Sequence, residues 1–282
     1  MKLQTVKLYF GLGCLFALIF STPMLLQPLI EEPANNTITV MSFNLHQYYV
    51  QDPSDLFLKT GLHTFAKVRD LIRNVGADIV GLQESEGDRL SSGNQNGIHW
   101  LAEQLDMYYY YGPPTSAQIY GDAILSRWPI IVQEWKQLPT PEGIERAIIR
   151  VIIDSPFGEI KVFNTHFEID RFKEAQRQQA NFVVDYVGDQ KAMILGDFNT
   201  RADLNDEAYH ILNNSFTYGL IEAGFHPNST IGFTAPAANP THKIDYIWLT
   251  PGDWNVVPNS YRAVGDPLTS DHRAVVIDIR MG

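Results

Sequence analysis

From residue 37 to residue 280, short apolar runs rich in β-branched residues alternate with segments whose apolar positions recur three and four apart. The first pattern predicts buried strands, the second amphipathic helices. TITVMSF at 37–43 predicts a strand ending at Asn44, and DIVGLQE at 78–84 one ending at Glu84. Between them, HTFAKVRDLIRNV at 63–75 sets Phe65, Val68, Leu71, Ile72 and Val75 on one helical face. Trp100, Leu101 and Leu105 predict a short helix, followed by a tyrosine-rich strand at 108–111. AILS at 123–126 and RAIIRVIID at 146–154 are further strands. SPFG at 155–158 has the residues of a type I turn and returns the chain as EIKVFNTHF at 159–167, which carries His166. Asp170 is placed to cap a helix running to about Val187. MILGDFNT at 193–200 is a strand whose end delivers Asp197 and Asn199, two residues apart, to one side. A helix is predicted around 203–213, a strand carrying Asp245 at 243–249, and a last strand at 270–279 with Asp271 and His272 where it begins. Strands and helices are intermixed, yet several strands come in hairpins. That predicts a mixed sheet, or a pair of sheets, covered by helices rather than a purely parallel one.

The N-terminus follows another pattern. Leu8 to Ile30 is almost continuously apolar, preceded by Lys2 and Lys7 and followed by Glu31, Glu32 and Pro33. Leu8 to Phe20 has the length of a signal-peptide core, and the whole run is long enough to cross a bilayer once. No A-x-A cleavage site follows, which favours a retained hydrophobic helix, a signal-anchor, over 1–34, although Pro23 and Pro28 disturb its second half. Either reading places residues 35–282 on the extracytoplasmic side, membrane-anchored or secreted. The single cysteine, Cys14, lies in this segment, so the remainder has no disulfide and no thiolate metal site. N-x-S/T sequons stand at Asn35, Asn213 and Asn228.

Composition narrows the partners. With 45% hydrophobic residues the chain has the material for a core. A net charge of −11 lowers the expectation of a tight duplex nucleic-acid binder, which needs a basic face. The chemistry gathers where apolar runs stop: Asn44, Glu84, His166, Asp197 with Asn199, Asp245, and Asp271 with His272. Gly, Asp and Asn are ordinary turn residues too. Six separate segments with the same feature nevertheless fit a site assembled at sheet ends. Glu84, Asp271 and Asn44 offer hard oxygen donors suited to Mg²⁺, Mn²⁺ or Ca²⁺, and no H-E-x-x-H or Cys/His cluster points to zinc. G-x-S-x-G and Walker A motifs are absent. An oxygen-bound cation, two imidazoles and a carboxylate–carboxamide pair suit hydrolysis of a phosphate ester by a positioned water.

SFNLH (42–46), GLQES (81–85), GDAILSRWPI (121–130), NTHFE (164–168), GDFNT (196–200), KIDYIW (243–248) and SDHRAV (270–275) together resemble the endonuclease/exonuclease/phosphatase superfamily, in that family's order. The resemblance implies a four-layer α/β/β/α sandwich of the deoxyribonuclease I type over residues 35–282. It further implies Glu84 as main metal ligand with Asn44 and Asp271 beside it, Asp197 activating or orienting the attacking water, with either Asp197 or His272 as the general base, and Asn199 positioning water and phosphate. By the same resemblance His272, oriented by Asp245, stabilises the transition state, His166 contacts the phosphate or assists the leaving oxygen, and Arg127 lies near the scissile phosphate. WLAEQLDMYYYYGP (100–113), DAILSRWPI (122–130) and LPTPEG (138–143) are similar to the nuclease-like domain of membrane proteins that remodel GPI-anchor lipids. The expected activity is a Mg²⁺-dependent phosphodiesterase, a monomer acting on a membrane lipid or small phosphoester. A surface or secreted DNA/RNA endonuclease and an inactive binding module on the same scaffold are the alternatives.

Overall fold

A computed structural model describes residues 36–48, 50–51, 58–59, 62–86, 96–115 and 120–282. The hydrophobic helix expected over 1–34, with Cys14 and the Asn35 sequon, lies outside the described residues. Among those described, no helix is long and apolar enough to cross a membrane.

In chain order the first half comprises β1 (Thr37–Asn44), β2 (Val50–Gln51), β3 (Leu58–Lys59), α1 (Leu62–Val75), β4 (Ile79–Glu86), α2 (Gly97–Leu105), β5 (Tyr108–Tyr111), β6 (Tyr120–Ser126) and β7 (Ile130–Gln137). The second half comprises β8 (Ala147–Ser155), β9 (Gly158–His166), α3 (Lys173–Val187), β10 (Met193–Asp197), α4 (Glu207–Ser215), β11 (Thr217–Tyr218), α5 (Gly219–Glu222), β12 (Asp245–Leu249), β13 (Asn255–Val256), β14 (Arg262–Val264) and β15 (Ala274–Arg280). One sheet has the order β13-β15-β1-β4-β6-β5, with β14 on β15; the other runs β11-β12-β10-β9-β8-β7. Both are mixed. The parallel pairs β1–β4 and β9–β10 lie inside them.

Alternation along β1 shows how the layers form. Met41 and Phe43 join Val80, Leu82 and Leu125 in a core closed by Phe65, Val68 and Ile72 of α1 and Ile98 and Leu101 of α2. Ile38 and Val40 belong to the larger core, which holds Ile149, Val162 and Leu195 of the second sheet. That core extends to Val183 and Val187 of α3 and Leu212 of α4; the Tyr186 ring of α3 meets Phe163 at 5.5 Å and the Tyr209 ring of α4 meets Trp248 at 5.6 Å. Two face-to-face sheets thus carry helices on their outer faces.

Four local expectations need correction. Asp170 does not cap α3: the chain turns at Ile169–Phe172, the cap position falls to Phe172, and the Asp170 carboxylate is taken by Lys173. The helix expected over 203–213 is broken, because Asn205 adopts a left-handed conformation (φ 58°) between a 3-10 turn at Ala202–Leu204 and α4. Asp271 and His272 precede β15 rather than beginning it; Ala237 donates to the Asp271 carbonyl (2.7 Å) and Arg273 to that of Thr234 (2.8 Å), so a loop holds this backbone instead of a neighbouring strand. Strand β7 was not legible, because it is an edge strand with Ile131, Val132 and Trp135 exposed and shows no apolar alternation.

A buried asparagine ties the two sheets below the strand ends. Asn164 of β9 donates its amide to the carbonyls of Leu82 and Ala123, each at 2.9 Å, and accepts from Gln83 Nε2 at 2.6 Å. It thus fixes the first sheet beside Glu84. Replacing it by Leu leaves Gln83 Nε2 only its bond to Ser42 Oγ (3.1 Å) and removes a donor to two carbonyls. Asn164→Leu should cost about 2–4 kcal/mol of unfolding free energy in urea titrations; a loss under about 0.5 kcal/mol would show that the tie is structurally idle.

Candidate active site

The strand directions bring the polar residues to one end of the sandwich. β1 and β4 run parallel and finish at Asn44 and near Glu84; β9 and β10 run parallel and finish in register at His166 and Asp197. β12 runs the other way, so its first residue, Asp245, pairs with Asp197, the last of β10. The loop before antiparallel β15 brings Asp271 and His272 to the same end. A bulge between Leu82 and Ser85 turns Glu84 out of the ladder into a left-handed conformation (φ 49°), and Asn199 leaves β10 in the same region (φ 48°). Such conformations cost non-glycine residues about 1–3 kcal/mol each and persist where their surroundings dictate them.

Asp197 is the hub. Its Oδ2 accepts from Asn44 Nδ2 at 2.9 Å and lies 3.5 Å from His166 Nε2 and 3.9 Å from His272 Nε2. Its Oδ1 accepts from the Asn199 backbone at 3.0 Å. The second amide hydrogen of Asn44 faces Glu84 Oε1 at 3.3 Å, so one carboxamide joins carboxylates of both sheets. His272 Nδ1 lies 2.9 Å from Asp245 Oδ2 and 3.1 Å from Oδ1. Asp245 is fully buried. Asn199 Nδ2 lies 3.1 Å from His166 Nε2 and donates to the Phe167 carbonyl. Eight of the nine residues expected from the sequence therefore share this end.

Arg127 does not. It follows Ser126, which pairs with Ile79 at the opposite end of β4 from Glu84, and its guanidinium holds Asp78 at 3.0 Å. Its place near a scissile phosphate is withdrawn, because the antiparallel run of β6 carries it away from the cleft. The arginine that does reach the cleft is Arg146, buried just before β8, with Nη1 2.9 Å from His166 Nδ1 and Nη2 3.6 Å from Glu168 Oε1. Glu168 in turn accepts from the backbone of Ile144 (2.7 Å) and Ile169 (2.9 Å). Asp122, Arg146, Glu168 and Gln47, whose Nε2 lies 3.3 Å from Glu84 Oε2, went unnoticed in the sequence. The available signal was a charge at the edge of an apolar run, as in RAIIRVIID.

Burial and crowding set the electrostatics. Burial, reinforced by Asp245, pushes the Asp197 carboxyl up to about 7 despite the counteracting His272 and Asn44. Burial pushes Asp122 up to about 8 against the opposing pull of Arg146, with Glu84 and Asp197 adding to the rise. Burial works against protonating His272, but Asp245 and Asp197 outweigh it and hold the imidazole well above its ordinary value. His166 is held well below, by burial and then by Arg146 and His272.

This excess of carboxylate is the test of a cation. Glu84 and Asp271 supply carboxylate oxygens, Asn44 a carbonyl oxygen, and Asp197 and Asp122 are kept partly protonated by burial and, after it, by neighbouring negative charge that a divalent ion would offset. The donor set is all oxygen and fits a hard cation. Asp197, Asp245 and His272 also bring atoms within 4.8 Å of one another. Since His272 Nδ1 is already taken by Asp245, that trio reads as a hydrogen-bonded acid–base chain.

The family described as PGAP2IP, C-terminal nuclease-like domain, matches residues 58–220. The chain belongs to this nuclease-like family. Protein cwh43 of Schizosaccharomyces pombe (strain 972) is 35% identical over 94 residues, covering 33% of this chain and 10% of that protein. The chain spans about a tenth of the length of this curated relative. An endonuclease/exonuclease/phosphatase family protein from Bacteroides thetaiotaomicron is similar in structure, with a TM-score of 0.66 at 18% identity, over 88% of this chain and 98% of that one. The catalytic domain of human Nocturnin, with bound sulfate, matches at a TM-score of 0.66 and 18% identity over 89% and 97%. At such identity the likeness speaks for the fold, which the nuclease-like family shares with the endonuclease/exonuclease/phosphatase superfamily.

Asp122 yields a prediction. Its folded pKa of about 8 lies above the model-compound 3.8, so its stability contribution is full below the lower value and is lost as pH rises through the upper. In chelator, wild-type protein should lose unfolding free energy between pH 5 and 8 more steeply than Asp122→Asn, by up to about 1.4 kcal/mol per pH unit. Parallel pH–stability curves for the two proteins would show that the Asp122 carboxyl ionises freely.

Proposed function

We propose that this chain is a divalent-metal-dependent phosphoric ester hydrolase, a phosphodiesterase of membrane-lipid headgroups or small phosphoesters. The observation that carries this is the Asp197 hub, a buried carboxylate of near-neutral pKa set between the Asn44 carboxamide, the His166 imidazole and the Asp245–His272 pair. A base of that pKa can take a proton from water at neutral pH, where an exposed aspartate is too weak. Asp197 Oδ2 accepts the water proton as the oxygen attacks phosphorus, and the P–O bond to the leaving alkoxide breaks, the alkoxide taking a proton from solvent. His272 is already protonated on both nitrogens, because Asp245 holds Nδ1–H and stabilises the cation, so Nε2–H donates to a phosphoryl oxygen. The Asn199 amide orients the water or a second phosphoryl oxygen. Asn44, Glu84 and Asp271 would hold a divalent cation, which when bound would supply Lewis-acid neutralisation of the phosphate.

The substrate class rests on lesser support. The net charge of −11 gives long nucleic acids little to bind, and the family match and the cwh43 likeness point toward membrane proteins that remodel GPI-anchor lipids. The hydrophobic segment at 8–30 supports an extracytoplasmic, membrane-tethered or secreted setting for residues 35–282.

Purified protein should hydrolyse bis(p-nitrophenyl) phosphate with Mg²⁺ and stop in EDTA. Asp197→Ala or His272→Ala should lower kcat by about 10²–10⁴-fold. Unchanged turnover in both variants would refute the assignment. A panel of phospholipids, inositol phosphates and plasmid DNA, the last at low and high salt, separates the lipid from the nuclease reading; cleavage of DNA alone would overturn the former.

The two titrations predict a bell-shaped pH profile. Activity should rise as Asp197 loses its proton, near pH 7 before the cation lowers that midpoint, and fall once His272 loses its own at higher pH. Asp245→Asn should move the alkaline limb to lower pH, which kcat/KM against pH measures directly.

A further inference from the structure

The two histidines of the cleft differ in what holds Nδ1. His272 faces a carboxylate there. His166 faces a guanidinium, with Arg146 Nη1 at 2.9 Å and both side chains buried. A guanidinium only donates and keeps its charge in proteins. Nδ1 of His166 must therefore be the accepting nitrogen, and the single ring hydrogen sits on Nε2.

That placement alters the meaning of the neighbouring contact. Asn199 Nδ2 lies 3.1 Å from Nε2; one of its hydrogens goes to the Phe167 carbonyl and the other faces the ring. A hydrogen on Nε2 excludes a hydrogen bond between these two nitrogens and leaves two donors side by side, which an anionic oxygen would satisfy together. Asp197 Oδ2, 3.5 Å from Nε2, is too distant to serve as a full acceptor. The charges around the ring all bear on the same outcome. Arg146 stands on its Nδ1 side, Asp197 and His272 on its Nε2 side, and Tyr120 of β6 lies over its face at 6.4 Å. Asp122 faces Arg146 from β6, and Glu168, fixed by two backbone donors, lies 3.6 Å from the guanidinium. Arg146 is thereby held in place by its own counter-charges.

We propose that Arg146 is a positioning residue that locks His166 as the neutral Nε2–H tautomer, so that His166 and Asn199 form a paired hydrogen-bond donor site for one phosphoryl oxygen. His166 then donates a hydrogen bond without surrendering its proton, and the acid–base work falls to Asp197 and His272. The substrate half of this inference rests on the phosphoesterase reading above; the tautomer does not.

Long-range ¹H–¹⁵N correlation spectra of the full chain labelled on histidine nitrogens read the tautomer directly. His166, identified by its absence in His166→Gln, should show the Nε2–H pattern unchanged from pH 5 to 8. Inorganic phosphate should shift its Nε2 resonance and the Asn199 side-chain amide together. In Arg146→Met/Glu168→Gln, which removes both members of the buried ion pair together, His166 should become titratable and the pH profile should gain an inflection on its acid side. An Nδ1–H pattern or a His166 titration within pH 5–8 in the wild-type chain would overturn the proposal, and that spectrum decides alone should the double variant fail to fold. Phosphate shifts that reach neither resonance would overturn the donor pair. A locked tautomer in a chain that hydrolyses no phosphoester would leave the Arg146 role standing and remove the phosphoesterase reading instead.

Discussion

The Asn44 carboxamide joins carboxylates of the two sheets where the chemistry gathers. Asn44 closes β1 and gives one hydrogen to Glu84 of its own sheet and the other to Asp197 of the facing sheet. Two carboxylates at that separation repel, and burial removes the water that would screen them. The amide offsets part of the repulsion; burial and Asp245 still raise the pKa of Asp197, and burial, with Glu84 and Asp197 adding to it, raises that of Asp122. Sheets that approached less closely would relieve the charge and lose the cleft. Burying hydrocarbon between the sheets, and tying them through Asn164 beside Glu84, is what makes the approach tolerable.

Backbone strain is concentrated at the same end. Glu84 and Asn199 are left-handed, and so are three consecutive residues after Asn44: His46, Gln47 and Tyr48, with φ of 47°, 52° and 60°. The last is held by core packing, its ring edge-on to Phe65 at 4.2 Å. The turn it anchors presents Gln47 Nε2 to Glu84 and His46 Nδ1, at 3.5 Å, to Asp271. Both acidic oxygen donors of the proposed cation site thus receive a partner from one strained turn. Residues outside the coordinating set commonly orient it in this way.

The strands were legible because burial on both faces or one face writes itself as an apolar run, and their ends were legible because a polar residue there interrupts that run. Asn44, Asp197 and Asp245 are of this kind. What the pattern does not encode is which end of a strand a residue occupies once the partner direction is known only in space. Arg127 and Arg146 both stand beside apolar runs, Arg127 after β6 and Arg146 before β8. Only the antiparallel course of each strand sends the first to Asp78 and the second to His166. Asp122 was hidden because it lies within a strand, where a carboxylate reads as an outward-facing residue. Asp170 misled for a different reason: a turn delayed the helix, and a nearby lysine offered the carboxylate a stronger partner than backbone N–H groups.

The arrangement of the two imidazoles follows from the same topology. His272 leaves a loop opposite the first residue of β12, so its Nδ1 meets a carboxylate; His166 ends β9 beside the start of β8, so its Nδ1 meets a guanidinium. A carboxylate on Nδ1 stabilises imidazolium, whereas a guanidinium forbids it. Two rings of identical chemistry on either side of Asp197 are thereby driven apart, one toward the charged state and one toward the neutral state. With equal partners the two would compete for the same proton as pH changed. With opposed partners, proton exchange around Asp197 is confined to its His272 side, while the His166 side stays a constant donor.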